Sequence, residues 1–384
     1  MMTTGLEAAA AACSSKVKEE KNEVAALMLG SEGAKAADYA NYFSSYAYLY
    51  HQKQMLSDGA RMRAYRDAVL KNREVFENRV VLDVGAGSGI LSIWAARAGA
   101  RKVYAVEFTS MAEHARELVE ANGFGHIVEV KHCAVEELDD ISVDVIISEW
   151  MGYFLLRESM LDSVIYARDR FLRRGGAIFP NRATLYWAPV ASEDRDARLQ
   201  DKVDAMADFE AFLGEMKEEH GVDVSALEVA YEAEQTHYYL KQAQWAELRD
   251  DQVLAEAAVL ATFDLYVVTL TESRAIVDAP FDFPTVPLET VDAFAGWFDV
   301  DFDFDGRRPL KNPQKLSTAP DQGYTHWGQQ LFLLVPPSPP LPSSTAGTLS
   351  MTRQRDAVRL YNIDIRLRDV HTVDEPHTLR WELS

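Results

Sequence analysis

The chain has 384 residues, of which 48% are hydrophobic and 26% charged; this composition is typical of a globular protein with a sizeable core and excludes a largely disordered one. Its length favours two domains plus additional segments. A formal net charge of −21 repels nucleic-acid phosphates and anionic membrane surfaces, so the composition predicts a basic partner and neither nucleic acid nor membrane.

Residues 1–37 are rich in Ala, Lys, Glu and Ser and predict a mobile tail. They lack the basic start and apolar stretch of a leader peptide, and the chain has no run of 18 apolar residues that could span a membrane. The two cysteines, Cys13 and Cys133, are too few for a disulfide framework or a cysteine-bound zinc site. We therefore expect a cytoplasmic protein, with the nucleus left open.

Residues 38–180 form the first predicted domain. It opens with an aromatic segment around Tyr42, Phe43 and Tyr46 that predicts a helix. From residue 80, short apolar strands alternate with helices, the last of them predicted over 158–172. This alternation predicts an α/β fold with a doubly wound, mostly parallel sheet that binds a ligand at the carboxyl ends of its strands.

Residues 181–384 form the second predicted domain, because the periodicity changes after residue 180. Segments with alternating or β-rich composition indicate an antiparallel β domain, and lie at 183–190, 261–270, 297–304 and 360–366.

An acidic segment, residues 192–234, interrupts this β domain. It holds 14 acidic and 4 basic residues, a net charge of −10. Apolar side chains recur in it at helical spacing, namely Leu199, Val203, Met206, Leu213 and Met216. Two interpretations stay open: a solvated amphipathic helix, or a projecting arm that buries the stripe against a second subunit.

A glycine cluster, Gly85-Ala86-Gly87-Ser88-Gly89, separates the first strand from a helix. Asp83 precedes it by two residues, and Glu107 ends the next strand, where a carboxylate can accept hydrogen bonds from ribose hydroxyls. The spacing is G-x-G-x-G rather than the dinucleotide pattern G-x-G-x-x-G. The combination favours S-adenosylmethionine over NAD.

Two glutamates flank a loop after the 143–148 strand. Glu149 lies where a doubly wound sheet places its ligand, and Glu158 follows nine residues later. Two carboxylates suit a planar guanidinium, whose donors pair with them in a fixed fork. Without further context, the alternative is that Glu158 only favours a helix start and Glu149 is solvated.

The motifs resemble those of the protein arginine N-methyltransferases, in the same order along the chain. The resemblance runs from about residue 38 to the C-terminus and is carried by residues 42–46, 80–89, 102–107, 148–160 and 325–327. It is strongest to type I members, and residues 69–91 resemble the sixth-numbered member in particular. The resemblance implies a Rossmann-like sheet that binds S-adenosyl-L-methionine, followed by an antiparallel β-barrel with a helical dimerisation arm.

The same resemblance implies an activity: methyl transfer to arginine in Arg/Gly-rich or basic proteins such as histones and RNA-binding proteins. The expected products are S-adenosyl-L-homocysteine with monomethyl and asymmetric dimethyl arginine, made by a homodimer.

The resemblance also assigns individual residues. It implies cofactor contacts from eight of them: Arg61 to the methionine carboxylate, Asp83, Gly85, Gly87, Glu107 to ribose, Val135 and Glu136 to adenine, and Met160. It implies that Glu149 and Glu158 bind the target arginine, that Tyr46, Tyr153 and Trp327 wall its slot, and that Met55 and Met160 shape the space around the methyl group. His326 pairs with Asp58 in this scheme, and the proton leaves through Glu158 or through that pair.

One position departs from the family pattern. Gln52 stands where the family has a histidine, and His51 lies one position earlier. The family's contact from the first helix to the cofactor is therefore not carried over to this position.

Three other interpretations of the sequence are less favoured. Residues 301–306 match the start of a calcium loop, but the twelfth position is Asn312 and Pro309 interrupts the loop, so no metal site is predicted. A catalytically inactive regulatory subunit would keep the fold without turnover, but here both glutamates and the Thr-His-Trp loop are intact. A small-molecule methyltransferase would have no special use for the acidic surface or the two-carboxylate slot.

Overall fold

The structure is a computed structural model that describes residues 38, 40, 42–44, 46–335, 345–368 and 377–383. The predicted tail, residues 1–37, lies outside the described residues.

The first sheet is parallel and five-stranded, in the order β3-β2-β1-β4-β5. Its strands are β1 (Val80–Val84), β2 (Lys102–Glu107), β3 (Val128–His132), β4 (Val143–Ser148) and β5 (Leu172–Phe179). All five residues of β1 are buried, as expected for a central parallel strand covered on both faces. Since β1 pairs with both β2 and β4, the strand order reverses beside β1, and the carboxyl ends of β1 and β4 form the ligand-binding edge of this sheet.

Helices surround this sheet. They are α1 (Leu49–Ser57), α2 (Gly59–Leu70), α3 (Arg73–Phe76), α4 (Ile90–Arg97), α5 (Met111–Ala121) and α6 (Leu161–Phe171). Before α1, residues 38, 40, 42–44 and 46 are helical, in agreement with the predicted aromatic helix. The helix predicted from residue 158 begins later, at Leu161, because Glu158 and Ser159 have positive φ angles that a right-handed helix cannot include.

Two antiparallel sheets follow. A six-stranded sheet has the order β7-β12-β10-β6-β8, with β11 paired to β10, and a four-stranded sheet has the order β15-β14-β13-β9. The strands are β6 (Arg182–Val190), β7 (Gln244–Ala246), β8 (Ala258–Asp264), β9 (Ala275–Phe281), β10 (Ala293–Phe304), β11 (Pro309–Ser317), β12 (Gln329–Leu333), β13 (Gly347–Arg353), β14 (Tyr361–Leu367) and β15 (His377–Leu383). A short helix, α9 (Leu270–Arg274), precedes β9.

The strand predicted over 261–270 is too long, since β8 ends at Asp264. The Asp264 carboxylate accepts the backbone N–H of Tyr266 (2.9 Å) and its carbonyl accepts that of Val268 (2.8 Å). These two bonds turn the chain away from the sheet.

The acidic segment folds as a helical arm between β6 and β7, formed by α7 (Asp194–His220) and α8 (Glu228–Thr236). The rings of Phe209 and Tyr231 stack with centroids 4.0 Å apart, and Lys202 pairs with Glu232 at 3.2 Å. None of the 27 residues of α7 is buried in the chain.

The hydrophobic core is continuous between the parallel sheet and the antiparallel sheets. The ring of Phe302 on β10 contacts Tyr65 on α2 and Phe179 on β5, with centroids 4.9 and 6.0 Å apart. The acids of the calcium-like segment are ion-paired, because Arg182 binds Asp301 and Asp303. Among the described helices, none has the length and apolar character needed to cross a membrane.

Candidate active site

The glycine loop after β1 forms the floor of the site. Gly85 and Gly87 have φ angles of +70° and +51°, a conformation that side chains rarely adopt. A Cβ atom on Gly85 would lie 2.5 Å from Cε of Met160, and one on Gly87 would lie 3.1 Å from Oε1 of Gln52. The side chains of Met160 and Gln52 therefore occupy the space that a Cβ atom at these two positions would need.

Glu107 holds this loop from the end of β2. Its Oε2 accepts the backbone N–H of Gly87 (2.8 Å), and its Oε1 accepts the N–H and the hydroxyl of Thr109 (2.7 and 2.6 Å). The carboxylate is buried and lines the cavity above the loop. Glu107 can therefore present a fixed acceptor to a ligand's hydroxyl groups.

Asp83 lies beneath the loop and is fully buried. Its Oδ2 accepts the hydroxyl of Ser92 on α4 (2.7 Å), while its Oδ1 has no partner among the described residues. Burial raises the pKa of Asp83 to about 7, against the lowering effect of the bonds from Ser92. Asp83 thus supports the loop from below and does not line the cavity.

This raised pKa predicts a pH-dependent stability. Since the folded pKa of Asp83 lies above the unfolded value, the stabilisation is complete in acid and is lost as the pH rises through about 7. As the pH rises from about 5 to about 8, the unchanged chain loses this stabilisation and an Asp83→Asn variant does not. We therefore expect the unfolding free energy of the variant, minus that of the unchanged chain, to increase over this range. Urea unfolding across that range measures the difference, with exposed Asp139→Asn as control. A difference that does not vary with pH would contradict the prediction.

Side chains of α1 and α2, those of Gln52 and Arg61, also reach the site. Gln52 is the buried residue of α1 and lies against Gly87 in the cavity, so this residue occupies the first-helix position whose contact was left open. Arg61 is buried on α2 and binds Oε2 of Glu149 through Nε (3.0 Å) and Nη2 (2.9 Å). Its Nη1 also donates to the carbonyl of Met55 (3.2 Å), which links the two helices.

These elements enclose a cavity of about 470 Å³. Its lining includes the predicted cofactor residues Arg61, Gly85, Gly87, Glu107, Val135, Glu136 and Met160. The aromatic side chains Phe43 and Phe108 cover it, with ring centroids 4.5 Å apart, and Ser163 holds Glu136 through a 2.8 Å hydrogen bond. The tight glycine floor, the fixed acceptor of Glu107 and the apolar cover fit a nucleoside with a charged tail at Arg61.

The loop that carries the two glutamates, residues 149–160, has an unusual backbone. Four non-glycine residues have positive φ angles: Phe154, Leu155, Glu158 and Ser159. Such strain persists only where surrounding structure enforces it, and it concentrates at functional sites. Here the buried side chain of Phe154 packs directly over Gly296 of β10, and the Ser159 hydroxyl donates to the carbonyl of Val358 (2.8 Å).

The second glutamate of this loop, Glu158, is held by hydrogen-bonding and charged neighbours. Its Oε2 accepts the hydroxyl of Tyr46 (2.7 Å), and its Oε1 lies 3.9 Å from Nη1 of Arg157. Burial raises the pKa of Glu158, although the charge of Arg157 and the Tyr46 hydrogen bond act in the opposite direction. Oε1 of Glu149 is buried and has no partner among the described residues, so an acceptor remains available beside the Arg61 pair.

A second cavity, of about 400 Å³, adjoins the first. It brings together Tyr46, Met55, Tyr153, Glu158 and Trp327, which were predicted to contact the arginine substrate, and His326, which was predicted to pair with Asp58. The indole N–H of Trp327 donates to the carbonyl of Met151 (2.9 Å), which fixes this wall to the glutamate loop. Both cavities are lined by Tyr46, Met55 and Glu158, so they adjoin at these side chains.

Asp58 and His326 form the expected pair. Oδ2 of Asp58 lies 2.7 Å from Nδ1 of His326 and accepts its backbone N–H at 2.9 Å, while Oδ1 accepts the N–H of Arg61 at the start of α2. Burial alone would raise the pKa of Asp58, but the bonds from His326 and Arg61 outweigh it and lower the pKa. This carboxylate therefore stays ionised and joins α2 to the loop that carries Trp327.

Several residues at the site were missed from the sequence. Phe43 and Phe108 belong to apolar patterns that predict core equally well, and Arg157 precedes Glu158 without any motif of its own. Arg359 lines both cavities from the loop before β14. It lies 201 positions after Glu158 in the chain, so no local pattern connects the two.

Comparison with family models identifies both parts of the chain. A model described as "Arginine methyltransferase oligomerization subdomain" matches residues 181–370. A model described as "Ribosomal protein L11 methyltransferase (PrmA)" matches residues 61–161.

Curated relatives are arginine methyltransferases. Protein arginine N-methyltransferase PRMT10 of Oryza sativa subsp. japonica is 51% identical over 306 residues, which is 79% of this chain and 80% of the relative. Protein arginine N-methyltransferase 6 of Danio rerio is 37% identical over 294 residues, 76% of this chain and 78% of the relative. The resemblance to the sixth-numbered member is therefore found, and the PRMT10 relative is more similar still.

Solved structures agree. The crystal structure of Arabidopsis thaliana protein arginine methyltransferase 10, described as uniquely open, has a TM-score of 0.81 and 41% identity and covers 89% of this chain and 100% of that one. The Trypanosoma brucei PRMT1 enzyme-prozyme heterotetrameric complex with AdoHcy has a TM-score of 0.67 and 27% identity, covering 88% and 100%.

Proposed function

Since this chain belongs to the protein arginine N-methyltransferase family, we propose that it converts arginine of Arg/Gly-rich or basic proteins to monomethyl and then asymmetric dimethyl arginine. Its cofactor is S-adenosyl-L-methionine. The observation that carries the proposal is the junction of two cavities at Tyr46, Met55 and Glu158. One cavity suits a nucleoside, and the other is lined by several aromatic side chains and by the carboxylate of Glu158.

The carboxylates prepare the substrate. A guanidinium is protonated at any accessible pH, so its nitrogens are weak nucleophiles. Glu158 and the unpaired Oε1 of Glu149 can bind two of its nitrogens and draw the positive charge toward them, which leaves the remaining terminal nitrogen freer to attack. Tyr46 supports this arrangement, because its hydroxyl orients the Glu158 carboxylate.

The cofactor supplies an electrophilic methyl group on a sulfonium when it is bound. Arg61, Glu107 and the glycine loop would hold it, with Met55 and Met160 beside the junction of the cavities. Placement of the nitrogen in line with the methyl group then accounts for much of the rate enhancement. Glu158 is suited to accept the released proton, since its burial raises the pKa toward neutrality.

The activity test uses labelled S-adenosyl-L-methionine with an Arg/Gly-rich peptide, followed by amino-acid analysis of the product. Asymmetric dimethyl arginine is expected, and a symmetric product or a product that stops at one methyl group would overturn the proposed specificity. If the chain binds S-adenosyl-L-homocysteine in calorimetry but methylates no peptide in a mixed arginine library, the enzymatic proposal fails and a regulatory subunit is favoured. A methylated metabolite without methylated peptide would favour a small-molecule enzyme.

We further propose that the chain acts as a homodimer through the helical arm. The arm leaves apolar side chains exposed toward its tip, among them Leu227 (55%) and Val229 (82%). The first helices expose another apolar surface, with Tyr48, Leu49 and Tyr50 all more than half exposed. An arm from a second copy that covers this surface, and the reciprocal contact, would give a closed two-fold assembly.

The proposed dimer predicts that a single charge introduced into the arm weakens the association. We expect Val229→Asp to convert the dimer to a monomer at micromolar concentration, because an aspartate cannot be buried in an apolar contact without a large desolvation cost. Val267→Asp is the matched control, since Val267 is also highly exposed (68%) but lies outside the arm. Sedimentation equilibrium measures the mass of each variant. A monomeric unchanged chain, or a dimeric Val229→Asp variant, would contradict the arm assignment.

A further inference from the structure

Arg359 connects the antiparallel sheets to the backbone of the glutamate loop. Its carbonyl accepts the backbone N–H of Glu158 (2.8 Å), and its Nη1 donates to the carbonyl of Glu158. The next residue is held from the same segment, because the hydroxyl of Ser159 donates to the carbonyl of Val358. Arg359, in the loop before β14, therefore binds both the backbone N–H and the backbone carbonyl of Glu158.

The same guanidinium also contacts the aromatic helix. Its central carbon lies 3.9 Å from the ring centroid of Tyr42 and 4.8 Å from that of Phe43. The backbone N–H of Arg359 donates to Asp38 at the start of this helix (3.2 Å). Partly buried cation–π contacts of this kind are attractive. The aromatic helix covers the first cavity, so Arg359 holds this cover as well.

Glu158 needs such a restraint. Its φ of +81° and that of Ser159, +59°, are strained for residues with side chains. Without an external partner, this backbone would relax and the carboxylate would turn with it. Tyr46 orients the carboxylate from the aromatic helix, but that helix is itself held by Arg359.

We propose that Arg359 is a positioning residue for arginine methylation, which holds Glu158 and the aromatic helix together in the arrangement that joins the cofactor cavity to the arginine slot. The inference rests on the proposed role of Glu158. One side chain from the loop before β14 thereby links the helix that covers the cofactor cavity to the carboxylate that binds the arginine.

The test compares Arg359→Met, Arg359→Lys and the control Arg355→Met, an exposed arginine in the same loop. We expect Arg359→Met to lower kcat by about tenfold or more, as misplacement of a reacting group does, and to weaken S-adenosyl-L-homocysteine binding by about tenfold through loss of the cation–π contacts. Arg359→Lys, which retains the charge and a donor, should recover part of kcat. Arg355→Met should match the unchanged chain.

A pH profile separates positioning from a general loss of structure. The titratable groups around Glu158 are Arg157, Tyr46, Glu149, Arg359, Tyr42 and Tyr153. The charge of Arg359 lowers the pKa of Glu158. The acid limb of kcat/KM should therefore move to higher pH in Arg359→Met and stay in place in Arg359→Lys.

Unchanged kcat and cofactor affinity in Arg359→Met would overturn the inference. So would a loss in both variants without rescue by lysine and without a pH shift, since that pattern indicates only a less stable fold. If Glu158→Gln retains full activity, the proposed function of the slot fails instead, whatever Arg359 does.

Discussion

Glu158→Gln is expected to lower kcat/KM for an Arg/Gly-rich peptide by about 10²- to 10⁴-fold, because removal of one partner from a buried charge pair costs about 3–5 kcal/mol. The variant keeps an acceptor for the Tyr46 hydroxyl and nearly the same volume, so the change is mainly one of charge. Steady-state kinetics with the peptide measure the loss. In calorimetry, the dissociation constant for S-adenosyl-L-homocysteine should stay within about twofold of that of the unchanged chain, because Glu158 is assigned to the arginine and not to the cofactor.

Glu149→Gln is expected to cause a loss of similar size, since the two carboxylates bind one guanidinium. The control is Glu117→Gln, which removes the same charge from an exposed position on α5 and should leave kinetics unchanged. Equal activity in Glu149→Gln and the unchanged chain would remove the two-carboxylate argument. A double variant no worse than either single one would show that the two glutamates act as a unit.

Gly296→Ala is expected to damage both stability and activity, although Gly296 is remote from the cofactor loop in sequence. A Cβ atom at this position of β10 would lie 1.9 Å from the ring of Phe154. Phe154 is buried and belongs to the strained glutamate loop, so the ring cannot move without moving that loop. We expect a loss of about 2–3 kcal/mol in the unfolding free energy and about 10²-fold in kcat/KM from a displaced Glu158.

The companion variant for this prediction is Phe154→Ala. Smaller than phenylalanine, the alanine leaves space for the new Cβ, so Gly296→Ala should cost much less in the Phe154→Ala background than alone. Urea unfolding of the four chains measures this coupling. Additive losses would show that the steric contact between β10 and the glutamate loop is not the cause.

Much of the fold could be predicted because its signals are local. The apolar run of β1 followed by a glycine cluster predicts a buried parallel strand and its ligand-binding turn, and the structure contains both. Element ends were less predictable. The helix expected at residue 158 begins at Leu161, and the strand expected to reach residue 270 stops at Asp264, since long-range contacts and a side-chain turn decide these ends.

For the acidic segment, the sequence pattern does not predict which apolar residues stay exposed. Its apolar spacing fits a solvated helix and a docking arm equally well. The structure stacks Phe209 of α7 on Tyr231 of α8, while Val203 of the apolar stripe stays 58% exposed. Which apolar residues remain for a partner depends on how α7 and α8 pack together, and a single-helix pattern contains no such information.

At the active site, the sequence predicted many of the residues and the Asp58–His326 pair, but most contacts between these residues are known only from the tertiary structure. Arg61 illustrates the difference: its expected ligand is a cofactor carboxylate, and its partner in the folded chain is Glu149. Gln52, the departure from the family pattern, lies against Gly87 and takes a place in the cavity lining. Such pairings join residues up to hundreds of positions apart, and only chain folding creates them.

The composition determined a globular protein, and the net charge predicted a basic partner for it. The glycine cluster and the paired glutamates, in the order in which the family's motifs occur, predicted the chemistry. These signals are readable because backbone conformation and charge are properties of short segments. The tertiary structure alone decided that the loop before β14 supplies Arg359, that Gly296 makes room for Phe154, and that two cavities meet at Glu158. The physical reason is that close packing selects one set of long-range neighbours from the many that the sequence permits.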